Sequence, residues 1–203
     1  IVIIYVNSYN FSMQQVDGRI LRSQKSQSVI LNALIKLINT GNYYPTAEEV
    51  AKESGIAIRT VFRQFDDMES LLIKVDEIIN HKLINDEKEI KLNSPLIARL
   101  ELIIEERLHY YNKYENIMIA TITQLPKYKI LQKKYPEYQR LLKKRTEDII
   151  PEILTLKSNN QELLDATLSF GFYQRLKFQG LDKSNIYKLI NEQCKKLIMS
   201  GSE

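Results

Sequence analysis

No stretch of this chain alternates apolar and polar residues for long enough to make a strand, while apolar residues recur throughout at three- and four-residue steps. That periodicity restricts the chain to helices. Six glycines and five prolines in 203 residues leave long runs without a helix breaker, rich in Leu, Ile, Lys, Glu, Asn and Gln. The expected fold is therefore all-α, with enough chain to bury a core and no internal repeat.

The pattern also gives the order of the elements. A first helix begins after Gly18, gathers Ile30, Ala33, Leu34, Leu37 and Ile38 on one face, and stops at Gly41-Asn42. Thr46-Ala47-Glu48-Glu49 reads as a capping box, with the Thr46 hydroxyl accepting from the Glu49 backbone and the Glu49 carboxylate reaching back. Gly55 stands where a left-handed C-terminal cap is wanted. A short helix, Ile58 to Gln64, follows and ends in Phe65-Asp66-Asp67. Asp66 or Asp67 caps a fourth helix carrying Leu71, Leu72, Val75, Ile78, Ile79 and Leu83. After the charged connector Asn85 to Asn93, Ser94-Pro95 opens a helix with Pro95 at its first position and Leu96, Leu100, Ile103, Ile104 and Leu108 as its stripe. Pro126, Pro136, the Lys157 to Asn160 linker and Gly180 then separate further helices. The last two are expected over Gln161 to Gln179, with Gly171 in mid-helix, and Lys183 to Met199, with Asp182 as N-cap.

Several chemistries are disfavoured by what the chain contains. A single cysteine, Cys194, rules out an internal disulfide, and two histidines, His81 and His109, offer no metal-ligand spacing. Cys194 sits among Ile190, Leu197 and Ile198 and reads as a small buried hydrophobe; His109 reads as a packing residue and His81 as exposed. No carboxylate pair or nucleophile–base cluster suggests an enzyme, and no cofactor is implied. The apolar opening Ile1 to Val6 is too short to span a bilayer and lacks the basic region of a signal peptide. Met13 reads as a natural start, which makes residues 1–12 an upstream extension. No other run suits a membrane, so a cytoplasmic location is expected. The formal net charge of +4 permits nucleic-acid binding without requiring it.

The informative segment is Thr46 to Phe65. A capped helix, the step Ala51-x-x-x-Gly55 and a second short helix make a helix-turn-helix, because small residues let the two backbones approach. In that motif the second helix enters the major groove. Val61 and Phe65 should face inward, leaving Ile58, Arg59, Thr60, Phe62 and Arg63 outside for phosphates and base edges.

The ordered set Ile30-Leu31-x-Ala33-Leu34, Gly41, Thr46, Val50-Ala51, Gly55-Ile56-x-x-x-Thr60-Val61-Phe62-Arg63-x-Phe65 and Leu71-Leu72 resembles the TetR (tetracycline-repressor-like) family over Arg19 to Leu83. The resemblance implies that Thr46 caps its helix beside a phosphate, that Thr60 and Arg63 anchor the backbone, and that Ile58 and Arg59 read bases. Phe62 stands where the family usually has a tyrosine, so it is left to pack on the sugar edge. Ala57 replaces a usual capping serine and Met68 a usual lysine. Both changes weaken phosphate anchoring, which a basic arm of Arg19, Arg22 and Lys25 can offset.

The expected organisation is thus an N-terminal extension (1–18), a three-helix helix-turn-helix domain (19–66) and a larger helical effector-binding and dimerisation domain (67–203). Tyr110, Tyr111, Tyr114, Met118, Thr121, Phe170 and Tyr173 are the candidate lining of an effector cavity, with plain core packing as the other reading. The last two helices carry apolar stripes, Leu163, Leu164, Thr167, Leu168 and Phe172, then Ile186, Leu189, Ile190, Leu197 and Ile198, expected to pack against a second copy. Within them Leu164, Leu168, Phe172, Ile186, Ile190 and Leu197 are the interface candidates.

Eight Lys/Arg against the single acid Glu137 mark the run from Lys127 to Arg145. It could be a second nucleic-acid surface or a gate for an acidic ligand. The favoured reading is a solvated helix face with Ile130, Tyr138, Leu141 and Leu142 turned inward. Taken together these features suggest a homodimer on double-stranded DNA, released from a roughly palindromic operator by an unknown small-molecule effector. A constitutive DNA binder or protein-interaction module without effector is the alternative.

Overall fold

The computed structural model describes residues 18–85 and 92–200, with side chains described over 18–79 and 92–200. The expected extension up to residue 17, most of the charged connector, and the side chains of His81 and Leu83 lie outside the described residues. Every regular element among those described is helical: α1 Gly18–Asn39, α2 Ala47–Ser54, α3 Ile58–Gln64, α4 Met68–Asn85, α5 Leu96–Gln124, α6 Lys129–Ile149, a 3-10 turn Pro151–Thr155, α7 Ser158–Thr167, α8 Phe170–Phe178 and α9 Lys183–Met199. None of them is long and apolar enough to cross a membrane.

The chain divides into two compact units. One holds the described residues up to His81 together with Asn116–Gln132; the other holds the described residues of Lys82–Glu115 and those from Lys133 onward. Helix α5 therefore contributes to both. It leaves helical geometry at Tyr114 (φ −114°, ψ 17°), next to the division.

In the first unit the apolar face of α1, Ile30, Leu31, Ala33, Leu34, Ile35 and Ile38, is buried where α1 packs on α2 and α3. Ala47 and Val50 of α2, Val61 and Phe65 around α3, and Leu71, Leu72, Val75 and Ile79 of α4 complete its core. Segment 116–132 is tied in by side chains. Asn116 donates to the Asn39 carbonyl at 3.3 Å, the Gln124 amide to the Tyr43 carbonyl at 2.9 Å, and the Thr121 hydroxyl to Asp76 at 3.3 Å.

The second unit is built on Leu100, Ile103 and Ile104 of α5, Leu142 of α6, and the buried residues of α7, α8 and α9, which pack on one another. Cys194 is fully buried there, and loss of solvent pushes its thiol up to about 12, as the small-hydrophobe reading requires.

The structure corrects several expectations. Gln161 to Gln179 is not one helix: it breaks at Leu168-Ser169, where the Ser169 hydroxyl accepts from the Phe172 N–H at 3.2 Å and starts α8. Gly171 is consequently near a helix start and exposed. A Cβ there would meet only the Ser169 hydroxyl oxygen, at 3.9 Å, so no close helix approach depends on it. Pro136 lies inside α6 rather than ending a helix, and Pro95 stands one residue ahead of α5. Leu141 is turned outward, 49% exposed, whereas Leu142 is buried.

The expected dimer stripe needs the largest revision. Leu164, Leu168, Ile186, Ile190 and Leu197 are at most 7% exposed in a single chain, because α7, α8 and α9 bury them against each other. They are core of one protomer and have almost no surface left to give a second. Phe172 is half-buried, and of the residues in these stripes the ones that face outward are Leu163 and Leu189.

Candidate nucleic-acid interface

The helix-turn-helix is fixed by local chemistry at each corner. The capping box of α2 is closed in both directions: the Glu49 N–H donates to Thr46 Oγ1 at 3.2 Å and the Thr46 N–H to Glu49 Oε2 at 2.7 Å. The backbone hydrogen bond from Thr46, then its hydroxyl, then Asn42 hold the Glu49 carboxyl below its ordinary range. Gly55 ends α2 in the left-handed region, φ 66°, a conformation that favours glycine. The turn then delivers α3, with Val61 and Phe65 inward and buried.

On the outer side of α3, Ile58, Arg59, Phe62 and Arg63 are exposed and Thr60 is half-buried. Neither guanidinium, Arg59 nor Arg63, is engaged by a hydrogen bond or ion pair with the described residues. Phe62 leaves 46% of its surface in solvent, an unfavourable placement for a phenylalanine unless something covers it. Thr46 is exposed at the start of α2. Arg19, Arg22 and Lys25 lie exposed on the first turns of α1, so they belong to a helix rather than to an arm, and Arg22 Nε bonds the Gly18 carbonyl at 3.0 Å.

One part of the site was invisible to the sequence reading. The Gln64 carboxamide oxygen accepts from the Ser23 hydroxyl at 2.9 Å and from the Gln27 amide at 3.1 Å. This clamp joins the last residue of α3 to the basic end of α1. It sets Arg22 and Lys25 at a fixed spacing from Arg63, which a free arm could not do.

Residues 30–75 match the family described as bacterial regulatory proteins, tetR family. The match covers the helix-turn-helix segment of this chain. Its fold is similar to that of a transcriptional regulator from Rhodococcus sp. Rha1, with TM-score 0.71 and 12% identity over 88% of this chain and 98% of that one. It is also similar to a Clostridium perfringens protein named as a candidate fatty acid metabolism regulator, with TM-score 0.59 and 19% identity over 84% of this chain and 96% of that one. No protein of curated function matches the sequence.

The departures at Ala57 and Phe62 have visible consequences. Ala57 gives α3 no side-chain cap, so the first turn relies on backbone bonds from Thr60 and Val61 to the Ala57 carbonyl at 2.7 and 3.2 Å. Phe62 has no hydroxyl to offer a phosphate.

The candidate effector residues divide between the units. Tyr110, Tyr111, Tyr114, Phe170 and Tyr173 form one aromatic cluster in the second unit. Ring centroids are 4.8 Å apart for Tyr110–Tyr114, 5.4 Å for Tyr111–Phe170 and 5.6 Å for Tyr111–Tyr173. Met118 and Thr121 belong to the first unit and are not part of it. Burial raises the Tyr111 phenol above its ordinary range, and its hydroxyl donates to the Leu168 carbonyl at 2.7 Å. Two buried arginines of α5, Arg99 and Arg107, were missed. The signal for Arg107 was its place four residues after Ile103, inside the apolar stripe.

The basic run on α6 behaves as a solvated face. Lys144 pairs with Asp148 at 2.7 Å, Arg145 with Glu106 at 2.9 Å, Lys134 with Glu137 at 3.9 Å, and Lys143 with Glu162. With four of the eight cations of the run matched by carboxylates, it offers less free charge to nucleic acid than its sequence suggests.

Proposed function

We propose that this regulator is a homodimeric repressor, working in the cytoplasm and released from a roughly palindromic operator when a small molecule binds its second domain. One observation carries the DNA-reading half of this proposal. Arg59 and Arg63 stand exposed on α3 with no hydrogen-bond or ion-pair partner among the described residues, and the opposite side of α3 is anchored in the core by Val61 and Phe65. Arg59 and Ile58 read base edges; Arg63, Thr60 and Thr46 hold phosphates, with Arg22 and Lys25 adding charge from α1. Residues 19–66 serve as the DNA-binding domain and 67–203 as the effector and dimerisation domain.

A two-fold dimer sets two α3 helices about one DNA turn apart, which is why the operator should be palindromic. An effector releases the dimer only if it binds the released state more tightly than the DNA-bound one. Helix α5 offers a covalent route for that signal, since its residues up to Glu115 lie in the second unit and those from Asn116 in the first. The Clostridium perfringens neighbour's link to fatty acid metabolism makes lipid-derived acids a reasonable first set of effectors to screen.

Gel-shift titration with DNA from upstream of the gene tests the DNA half. Arg59→Ala should relax base preference by about 1–3 kcal/mol at one position, while Arg63→Ala should weaken all sequences and reduce the salt slope by about one. If both variants bind like wild type, α3 is not the reading helix. If DNA binding is normal and no compound releases it, the protein is a constitutive binder.

A further inference from the structure

Two arginines of α5 are buried to the same degree and neutralised differently. Arg99, 6% exposed, donates to both oxygens of the Glu152 carboxylate and to the Ile149 carbonyl. Arg107, also 6% exposed, hydrogen-bonds only to neutral oxygens among the described residues. Its Nη2 donates to the Leu142 carbonyl at 2.7 Å and the Thr146 hydroxyl at 3.0 Å, and its Nη1 reaches the Tyr111 hydroxyl at 3.4 Å. No carboxylate among the described residues lies within ion-pair distance of it. Adjacent Glu106 pairs with Arg145, and Asp165 senses the Arg107 charge only from beyond that distance.

A guanidinium cannot escape burial by losing its proton. Keeping one in the interior is costly unless an anion joins it, and the protein gives Arg99 a directly bonded carboxylate but Arg107 only the more distant Asp165. Three of the five N–H donors of Arg107 are engaged by protein oxygens, leaving two for something else.

A second observation points the same way. Tyr114 is 4% exposed and its hydroxyl has no hydrogen-bond partner among the described residues. Arg107, Tyr111 and Tyr114 follow at steps of four and three, which places them on one face of α5. Seven residues of helix rise about 10 Å, so the backbones of Arg107 and Tyr114 are separated along α5 by the length of a small molecule. The same cluster holds aromatic rings, Tyr111 with Phe170 at 5.4 Å and Tyr110 with Tyr114 at 4.8 Å.

We infer that this face of α5 is the effector site, and that the effector is an organic carboxylate with an aromatic or acyl body about 10 Å long. The carboxylate pairs with Arg107, the body lies along Tyr110, Tyr111 and Phe170, and a polar group at the far end bonds the Tyr114 hydroxyl. Its far end thus meets the residue at which α5 leaves helical geometry. This assignment rests on the ligand-responsive reading proposed above and names the chemical class of the ligand.

The test is calorimetric titration of the full chain with decanoate and with a para-hydroxybiphenyl carboxylate, each beside its primary amide. At least one acid should bind saturably, and at least tenfold more tightly than its amide. Arg107→Gln should weaken that acid at least tenfold while leaving the amide unchanged. Tyr114→Phe should weaken the hydroxylated probe several-fold more than decanoate. Equal affinity for acid and amide on the wild-type chain overturns the proposal even if Arg107→Gln fails to fold, and so does the absence of saturable binding by either acid. A parallel gel shift separates the two readings. Normal DNA binding that uncharged compounds release would keep the ligand-responsive regulator and sink the carboxylate site, whereas a wild-type chain that ignores DNA would sink the regulator reading itself.

Discussion

The Ser23 hydroxyl donates to the Gln64 carboxamide oxygen at 2.9 Å, and through this bond the basic end of α1 is held to the last residue of α3. Gln27 completes the clamp on the same oxygen at 3.1 Å. Both bonds are partly buried, so Gln64→Leu should leave two donors unsatisfied and lower stability by about 1–2 kcal/mol in urea denaturation. DNA affinity should fall as well, because Arg22 and Lys25 lose their fixed spacing from Arg63. Gln64→Glu keeps the acceptor and should retain most of the stability. A Leu variant as stable as wild type would show that the clamp is incidental.

The second prediction concerns the corner before that helix. Thr46 caps α2 through its hydroxyl and receives the Glu49 carboxylate on its backbone N–H. Thr46→Ala removes the hydroxyl half of the box and should cost about 1 kcal/mol, read as a shift of the denaturation midpoint with an unchanged slope. Thr46→Ser preserves the oxygen and should recover nearly all of it. If Ala and Ser behave alike, the hydroxyl is not what fixes the start of α2.

These two corners mark where sequence reasoning succeeds and where it stops. The Thr46–Glu49 box and the Gly55 cap were legible because each closes within a few residues, so spacing alone specifies the geometry. The Gln64 clamp was not, since its partners lie on another helix and any of many polar pairs could have met. The break at Ser169 was hidden for a related reason: a serine inside an apolar period reads as a tolerated interior residue until its hydroxyl is seen accepting from Phe172. The stripe of Leu164, Leu168, Ile186, Ile190 and Leu197 was correctly read as buried but assigned to the wrong partner. Periodicity shows that a face is covered; it does not show whether the cover is the same chain or a second copy.

Arg99 gives the third prediction, with a pH dependence of definite sign. Its hydrogen bonds to Glu152 hold that carboxyl below the ordinary value of 4.5. A depressed folded-state value means the stabilisation is complete above the unfolded value and is lost as pH falls through the lower, folded one. The Glu152 side chain is 44% exposed, so solvent screens part of the pair. Glu152→Gln should therefore cost only about 1–2 kcal/mol at neutral pH, most of it from leaving the Arg99 charge without its anion. Below pH 4.5 the wild-type and variant stabilities should converge. Parallel stability curves across that range would show that the carboxylate charge does not matter to Arg99.

The last prediction follows from the revised dimer face. With the inner stripe of α7 and α9 buried in its own protomer, a second copy can meet these helices only through outward residues, of which Leu163 is 53% and Leu189 38% exposed. A charge placed at such a position costs little in the isolated protomer, because it stays in water, and much in a packed interface, where it would be desolvated without a partner. The double variant Leu163→Asp, Leu189→Asp should keep its helical content and its protomer fold. In size-exclusion chromatography with light scattering at micromolar concentration it should run as a monomer where wild type runs as a dimer. Half-site contacts alone then remain, so operator affinity should drop by well over tenfold, and the binding curve should gain a dependence on protein concentration. A variant that stays dimeric would place the interface on another surface, and a wild-type chain already monomeric at that concentration would remove the two-fold arrangement from the proposal.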